Sequence, residues 1–471
     1  MSGVLKSIIV ILSAALLAAC GLTTPEPASM TVATRAPSLT PAGPISTAAH
    51  VATITPGLAP ASPTPTFAET EPTSESTSTL ALPTSTAPEG LRMVYVVEGN
   101  LYLQNESNPP RQLTDSGEDG YPILSDDGEK IMFFRGDMPR DLYVINAEGS
   151  QEQALVTNEV LVGLGYGELT EVHDHSWVPD THRLLFNTLQ LNAEDVKSGD
   201  PNSRNLAKVN RDLLLVDADT GEIQSLVPPG KGGRFWVSPD GSRVAIVKQG
   251  EVLAITIDGQ VVHQGRVPFA PGLSDIIWDV FWTPDAANLI LLVPTQESLN
   301  DEMWPPTYTV WRYPLDESPP IQVPLDPPPM DIASVSPDGN WIIYSYYPEG
   351  RLSRQAPLYV GNLRQGHAEL YAPDAAILHW SPDSTHFVYG YGQLFLGTVE
   401  GPPTLIDEGR FLGWVDAGRY LYFYTSNGAI MMGELGGRIV SISTGVPRNS
   451  LLSGPNWFTF ILMDRRVEEF D

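Results

Sequence analysis

The chain is poor in cysteine: Cys20 is the only one among 471 residues. No disulfide can therefore form within the chain, and the body of the protein contains no cysteine nucleophile. Positive charge is also scarce. Lys and Arg number 27 against 56 Asp and Glu, a formal net charge of −29. A surface this acidic repels a phosphate backbone, so nucleic acid is set aside as a partner. Residues 1–89 hold only Glu26, Glu69, Glu71, Glu75 and Glu89 against Lys6 and Arg35, so nearly all of the excess falls on residues 90–471. No apolar run reaches the ~20 residues of a membrane-spanning helix. Long amphipathic helical patterns are hard to find. There is no G-x-S-x-G elbow and no H-E-x-x-H pair. The glycines around Lys231 are followed by neither Ser/Thr nor a helix, so they do not form a phosphate loop.

What is abundant is turn-forming and aromatic residues. The sequence holds 41 Gly, 43 Pro, 10 Trp, 17 Tyr and 14 Phe, with 42% apolar residues overall. That mixture favours an all-β protein of many short strands around a large core.

Three regions differ in composition. Residues 1–19 carry one lysine and then an apolar stretch, Ile8–Ala19, with the length and flanks of a secretory signal peptide. The stretch ends Leu17-Ala18-Ala19-Cys20-Gly21, which resembles the lipobox of bacterial lipoproteins. That resemblance implies that Cys20 becomes the acylated first residue, and it accounts for the lone cysteine. It also implies a lipid anchor on the extracytoplasmic face of the cell envelope, because several acyl chains hold a protein stably on a membrane. The rest of residues 20–89 is dominated by Pro, Thr, Ser and Ala and lacks the apolar side chains needed for a core. The expectation there is a disordered, extended tether.

From residue 90 a turn motif recurs, most fully as Val335-Ser-Pro-Asp-Gly339. Ser, Pro, Asp and Gly are the residues that a tight turn requires. Related copies are Leu124–Gly128, Trp177–Asp180, Val237–Gly241, Trp282–Asp285 and Trp380–Asp383, with a degenerate copy at Trp414–Gly418. Each precedes an apolar strand, and the spacing is mostly about 45–60 residues. Four-stranded units repeating at that interval indicate a β-propeller. A single such unit cannot bury both faces, whereas a ring of them can. The W-S-P-D-G pattern resembles the TolB-type, WD-repeat-like propellers of bacterial envelopes. This resemblance covers about residues 90–445 and implies a platform for binding other molecules. Seven motifs are visible, and Arg92–Gln104 looks like a further unit without its first strand. If the C-terminal stretch Asn456–Met463 completes that unit, the ring has eight blades, with seven as the other count. The propeller domain would then occupy residues 90–471.

In such a ring the first strand of each unit lines the channel. The loops between second and third strands crowd one rim, and Thr188–Arg211, Pro294–Pro306 and Tyr346–Pro357 are long. Long loops on a rigid scaffold commonly carry binding sites. His173, Asp174, His175, Arg234, Asp279 and His379 are placed at the start of first strands. Trp304 sits in an acidic long loop. These seven form the candidate binding rim. Strand alternation puts His173 and His175 on one face and Asp174 on the other, which leaves too few ligands for a metal. No metal, cofactor or catalytic set is assigned. The function expected is binding of an envelope protein or glycan. The alternative is an extracellular hydrolase or lyase acting at the channel mouth through His173, Asp174, His175 or His379.

Overall fold

The computed structural model describes residues 92–105, 108–193, 208–248, 250–267, 279–295, 307–347, 356–375, 379–390, 392–424, 429–443, 451–453 and 460–461. The signal peptide, Cys20 with Leu17, Ala18 and Ala19, the Pro/Thr/Ser-rich segment and Trp304 lie outside these residues. Among the described residues, one six-residue helix, Asn158–Gly163, interrupts an otherwise β architecture. Among the described residues no helix is long and apolar enough to cross a membrane.

The strands form a β-propeller of four-stranded antiparallel meanders, numbered here as units. Unit 2 comprises Asp119–Leu124, Lys130–Arg135, Asp141–Asn146 and Gln153–Val156. Unit 3 has Thr170–Trp177, Arg183–Gln190, a third strand split into Lys208–Val209 and Leu213–Asp217, and Ile223–Val227. Units 4, 5 and 6 begin with Arg234–Val237, Asp279–Trp282 and Asp331–Val335. Unit 7 begins with His379–Trp380. Its last strand, Thr404–Trp414, continues past Gly409 to become the first strand of unit 8. Unit 1 contains Arg92–Val97, Asn100–Asn105 and Arg111–Gln112, with Leu451–Ser453 paired beside Arg92–Val97 and Phe460–Ile461 beyond it.

Continuous hydrogen bonding thus groups the strands into seven sheets. One of these is seven-stranded and holds the two meanders that share Thr404–Trp414. Counted by meanders there are eight units, and their buried side chains agree. Eight apolar clusters lie between consecutive units, from Val94, Leu103, Ile131 and Phe133 between units 1 and 2 to Phe411, Trp414 and Tyr422 between units 7 and 8. The eighth cluster joins Leu412, Leu421 and Ile430 of unit 8 to Met93 and Tyr95 of unit 1, so the ring closes on itself.

The repeated turn organises each unit. The hydroxyl of Ser125, Ser238, Thr283, Ser336 or Ser381 donates to the Asp two residues on, at 2.5–2.6 Å. The same oxygen accepts the backbone N–H that opens the second strand, as from Arg243 to Ser238 at 2.9 Å. In units 2, 4 and 6 the fifth position adopts positive φ, which Gly128, Gly241 and Gly339 accommodate without strain. Gly241 has a further constraint, since a Cβ there would lie 2.9 Å from the Pro179 carbonyl of the preceding unit.

Tryptophan then links neighbouring units. The indole N–H groups of Trp177, Trp282, Trp380 and Trp414 donate to the carbonyls of Ile123, Trp236, Ser334 and His379 at 3.0–3.2 Å, each on the first strand of the preceding unit. All four side chains are buried, as their interchange with Leu124, Val237 and Val335 implies. First strands therefore lie close together at the centre. Fourth strands face outward, leaving Val261, Ile321, Leu370 and Leu405 exposed.

Two substitutions test this framework. Ser238→Ala leaves the Arg243 N–H without its acceptor and should lower stability by about 1–3 kcal/mol. Trp282→Phe keeps most of the ring volume, loses the donor to Trp236 and should cost about 1 kcal/mol. Urea unfolding followed by intrinsic fluorescence measures both; unchanged midpoints would deny the turn and the inter-unit bond their structural role.

Candidate functional site

The first strands and the ends of the long loops share one end of the ring, opposite the Ser–Asp turns. His173 and Asp174 occur there in the first strand of unit 3. The pairing register breaks between Val172 and His175, so both residues stand in a bulge opposite Asn187. This corrects the alternating-face expectation, because a bulge cancels the two-residue period. Both residues are exposed, with His173 Nε2 3.7 Å from Asp174 Oδ1. Asn187 holds Asp174 at two points: its Oδ1 accepts the Asp174 N–H at 2.8 Å, and its Nδ2 donates to Oδ2 at 3.1 Å.

His175 points into protein. Its ring lies edge-on to Phe134 at 5.1 Å, and Nδ1 is 3.0 Å from the His173 carbonyl oxygen. Burial lowers its pKa, outweighing the carbonyl contact and Asp174. Arg140, which covers Phe134 and Tyr121 at about 5 Å, adds to that depression. The buried carboxylate of Glu171 accepts the Arg140 backbone N–H at 3.0 Å and fixes this corner.

Arg234 and Asp279 begin the first strands of units 4 and 5, and both are exposed. The Arg234 guanidinium lies 5.2 Å from the centre of the Trp236 ring. Enclosure by protein raises the Asp279 carboxyl pKa, and the charge of Arg234 pulls against that rise. Asp279 is thus both open to solvent and surrounded, as expected for a side chain in a recess. His379, in unit 7, is half-buried and tilted against Phe411 at 5.1 Å. Burial pushes its pKa down to about 4. The structure therefore brings His173 beside Asp174 and Arg234 within electrostatic reach of Asp279. It sets His175 and His379 against aromatic rings as neutral imidazoles.

A cluster that the sequence pattern did not disclose lies at the opposite end. His182 bridges units 2 and 3, with Nε2 2.8 Å from Asp127 Oδ2 and Nδ1 2.9 Å from Asp219 Oδ2. Lys130 Nζ also reaches Asp219, at 2.7 Å. Asp127, Glu129 and His182 offer atoms within 4.8 Å of one another, a spacing that would suit a metal. Both His182 nitrogens face carboxylates, so a cation at Nε2 would take the place of the proton that His182 shares with Asp127. The arrangement is that of an imidazolium shared between two acids. The residues lie 37 and 55 positions apart in the chain, which hides them from a local motif search. Asp217-Ala-Asp-Thr-Gly221 is a turn: Asp217 Oδ1 accepts the N–H groups of Asp219 and Thr220.

Burial opposes the charge on His182, but the hydrogen bonds it donates to Asp219 and Asp127 outweigh it and raise the pKa above 6.5. For Asp219 the bond from Lys130 leads, followed by His182, and its pKa falls below 3.8. Burial opposes the charge on Asp127 too, yet bonds from Ser125, the Glu129 N–H and His182 lower its pKa as well. A raised histidine pKa gives stability that is complete below 6.5 and is lost as pH rises through the folded-state value. Lowered aspartate pKa values give stability that is complete above 3.8 and is lost on acidification. The link should therefore be strongest between about pH 4 and 6.5. Thermal unfolding of wild type and His182→Gln across pH 4–9 checks this. The Tm difference should be largest near pH 5–6 and shrink above pH 7; a pH-independent difference would contradict an ionic link.

No family model matches this chain, and no curated protein matches it. Among solved structures, the chain is similar to an oligogalacturonate lyase from Vibrio parahaemolyticus at 14% identity. That match covers 65% of this chain and 82% of the lyase, with a TM-score of 0.41. TolB from Acinetobacter baumannii matches at 12% identity over 78% of this chain and 66% of TolB, with a TM-score of 0.34. The propeller domain of the Trilobed protease from Pyrococcus furiosus matches at 13% identity, covering 69% of this chain and 95% of that domain, with a TM-score of 0.41. These likenesses are to propellers that serve different purposes, and they carry no activity over to this chain.

Proposed function

We propose that this protein is a lipid-anchored, extracytoplasmic binding module that engages an envelope protein or glycan at the first-strand end of its propeller. The observation that carries the reading is the set of exposed polar and charged side chains there. His173 and Asp174 stand side by side, and Arg234 over Trp236 faces Asp279 across the boundary between units 4 and 5. Each sits on a strand whose neighbours are bonded from unit to unit, so the charges are presented on a rigid frame. Rigid presentation lowers the entropic cost of binding.

The hydrolase or lyase reading is less well supported by the same groups. A general base works best with a pKa near the operating pH. Burial lowers the pKa of His175 and takes that of His379 down to about 4. The anchor rests on Leu17-Ala18-Ala19-Cys20 and on the single cysteine of the chain.

Two experiments test the two halves of the proposal. Cys20→Ser in the full chain should move the protein from the membrane fraction to the soluble fraction on cell fractionation; continued sedimentation with membranes would remove the anchor. Cross-linking and capture from intact envelopes should recover a partner with wild type. Recovery should fall about tenfold when Arg234→Ala and Asp279→Ala are combined, the loss of ~1.4 kcal/mol in binding. Equal recovery by that double variant would place the binding surface elsewhere.

A further inference from the structure

We infer a second binding site, for a carboxylated sugar residue of an acidic glycan, in the recess between units 5 and 6 at the turn end of the ring. It is separate from the first-strand end and does not depend on the function proposed for that end. The recess has a volume of about 390 Å³. One wall is the outer hairpin of unit 5, where Arg312 pairs with Ile321 in register and Gln322 follows. The other wall is the turn Leu363–Gly366 between the last two strands of unit 6, which supplies Arg364 and Gln365. The walls are fixed against each other by close packing. A Cβ at Gly366 would lie 2.8 Å from Pro324 Cδ, and Gly366 takes positive φ. Asn362 Oδ1 accepts the N–H groups of Arg364 and Gln365 at 3.0 and 2.9 Å and holds the turn.

The cations distinguish this junction from three others. Arg92 donates across to the Gly128 carbonyl between units 1 and 2, and Arg243 to Ala286 between units 4 and 5. Lys130 pairs with Asp219 between units 2 and 3. Between units 5 and 6, two guanidinium groups share one recess and neither bonds across it. Among the described residues, Arg364 donates from its Nε to Asn340 Oδ1, which orients the group and leaves both terminal nitrogens. The Arg312 guanidinium makes no hydrogen bond or ion pair among the described residues. Asp285 is near enough to feel its charge but forms no ion pair with it. Two forks with uncommitted donors, in a chain of net charge −29, mark a place where an anion is attracted rather than repelled.

The rest of the lining narrows the class of anion. Gln322 and Gln365 provide amides that can both donate and accept, which suits hydroxyl groups. Val323 and Leu363 are buried beneath the recess, and Ile321 is exposed at its edge. An apolar floor, amides at the sides and two guanidinium groups together suit the ring face, hydroxyls and carboxylate of a uronic acid unit.

The test uses calorimetric titration of the full chain with a glucuronate trisaccharide, its carboxyl-reduced neutral counterpart, and a peptide whose only anion is its C-terminal carboxylate. Wild type should bind the acidic trisaccharide, with affinity falling as salt rises, and should bind the other two at least tenfold more weakly. Arg312→Gln and Arg364→Gln should each weaken binding about tenfold or more, the loss of one charge-assisted contact. Arg312→Lys should recover only part of the loss, since it keeps the charge but not the fork. The Arg234/Asp279 double variant should bind the trisaccharide as wild type does, which separates this site from the first-strand end. No binding by wild type, equal binding of the neutral sugar or the peptide, or unchanged affinity in folded Gln variants would each overturn the assignment.

Discussion

The structure depends on a constraint that no single unit can meet alone. A four-stranded meander has two apolar faces and no partner of its own, so each face must be buried by a neighbour. Ring closure satisfies this for every unit at once. The cluster of Met93 and Tyr95 with Leu412, Leu421 and Ile430 is therefore as important as any other, although its members are more than 300 residues apart. At the centre, where units are nearest, the contact is polar as well as apolar. Each linking indole donates to a first-strand carbonyl of the preceding unit. Tryptophan suits this position because it brings both a large apolar ring and a donor at its edge.

Much of this was legible in the sequence because it is local. The Ser–x–Asp turn is a contact between residues two apart, so the chemistry of the turn is written in the motif itself. The apolar strand after each motif is equally direct. Interchange of Trp with Leu or Val at one motif position correctly places that position in the core. The shared strand Thr404–Trp414 was not legible in the same way. It belongs to two units because the chain needs no turn between them there, and absence of a turn leaves no mark in the residue pattern.

The site was less legible, for two physical reasons. A bulge changes which way side chains face without changing residue types, and so His173 and Asp174 emerge together where alternation separates them. Contacts between units join residues dozens of positions apart. His182 with Asp127 and Asp219, and Arg312 with Arg364, depend on the ring to be assembled at all. The sequence shows the residues and the repeat, but not which copy of the repeat leaves its charges uncommitted.

That difference between copies is where specificity resides. The repeats supply nearly identical frames, so binding can arise only from departures among them. At the first-strand end, the departures are the charges at Asp174, Arg234 and Asp279, where units 2 and 8 carry Tyr121 and Phe411. At the turn end, it is a junction whose arginines are not committed to a neighbouring carbonyl. In both places the frame is held by bonds that do not involve the departing side chains. The Ser–Asp turns and indole links fix the strands, and Asn362 fixes the unit 6 turn. Charges can therefore vary at these positions with little cost to the fold, which is the physical reason a propeller can be given new partners without being rebuilt.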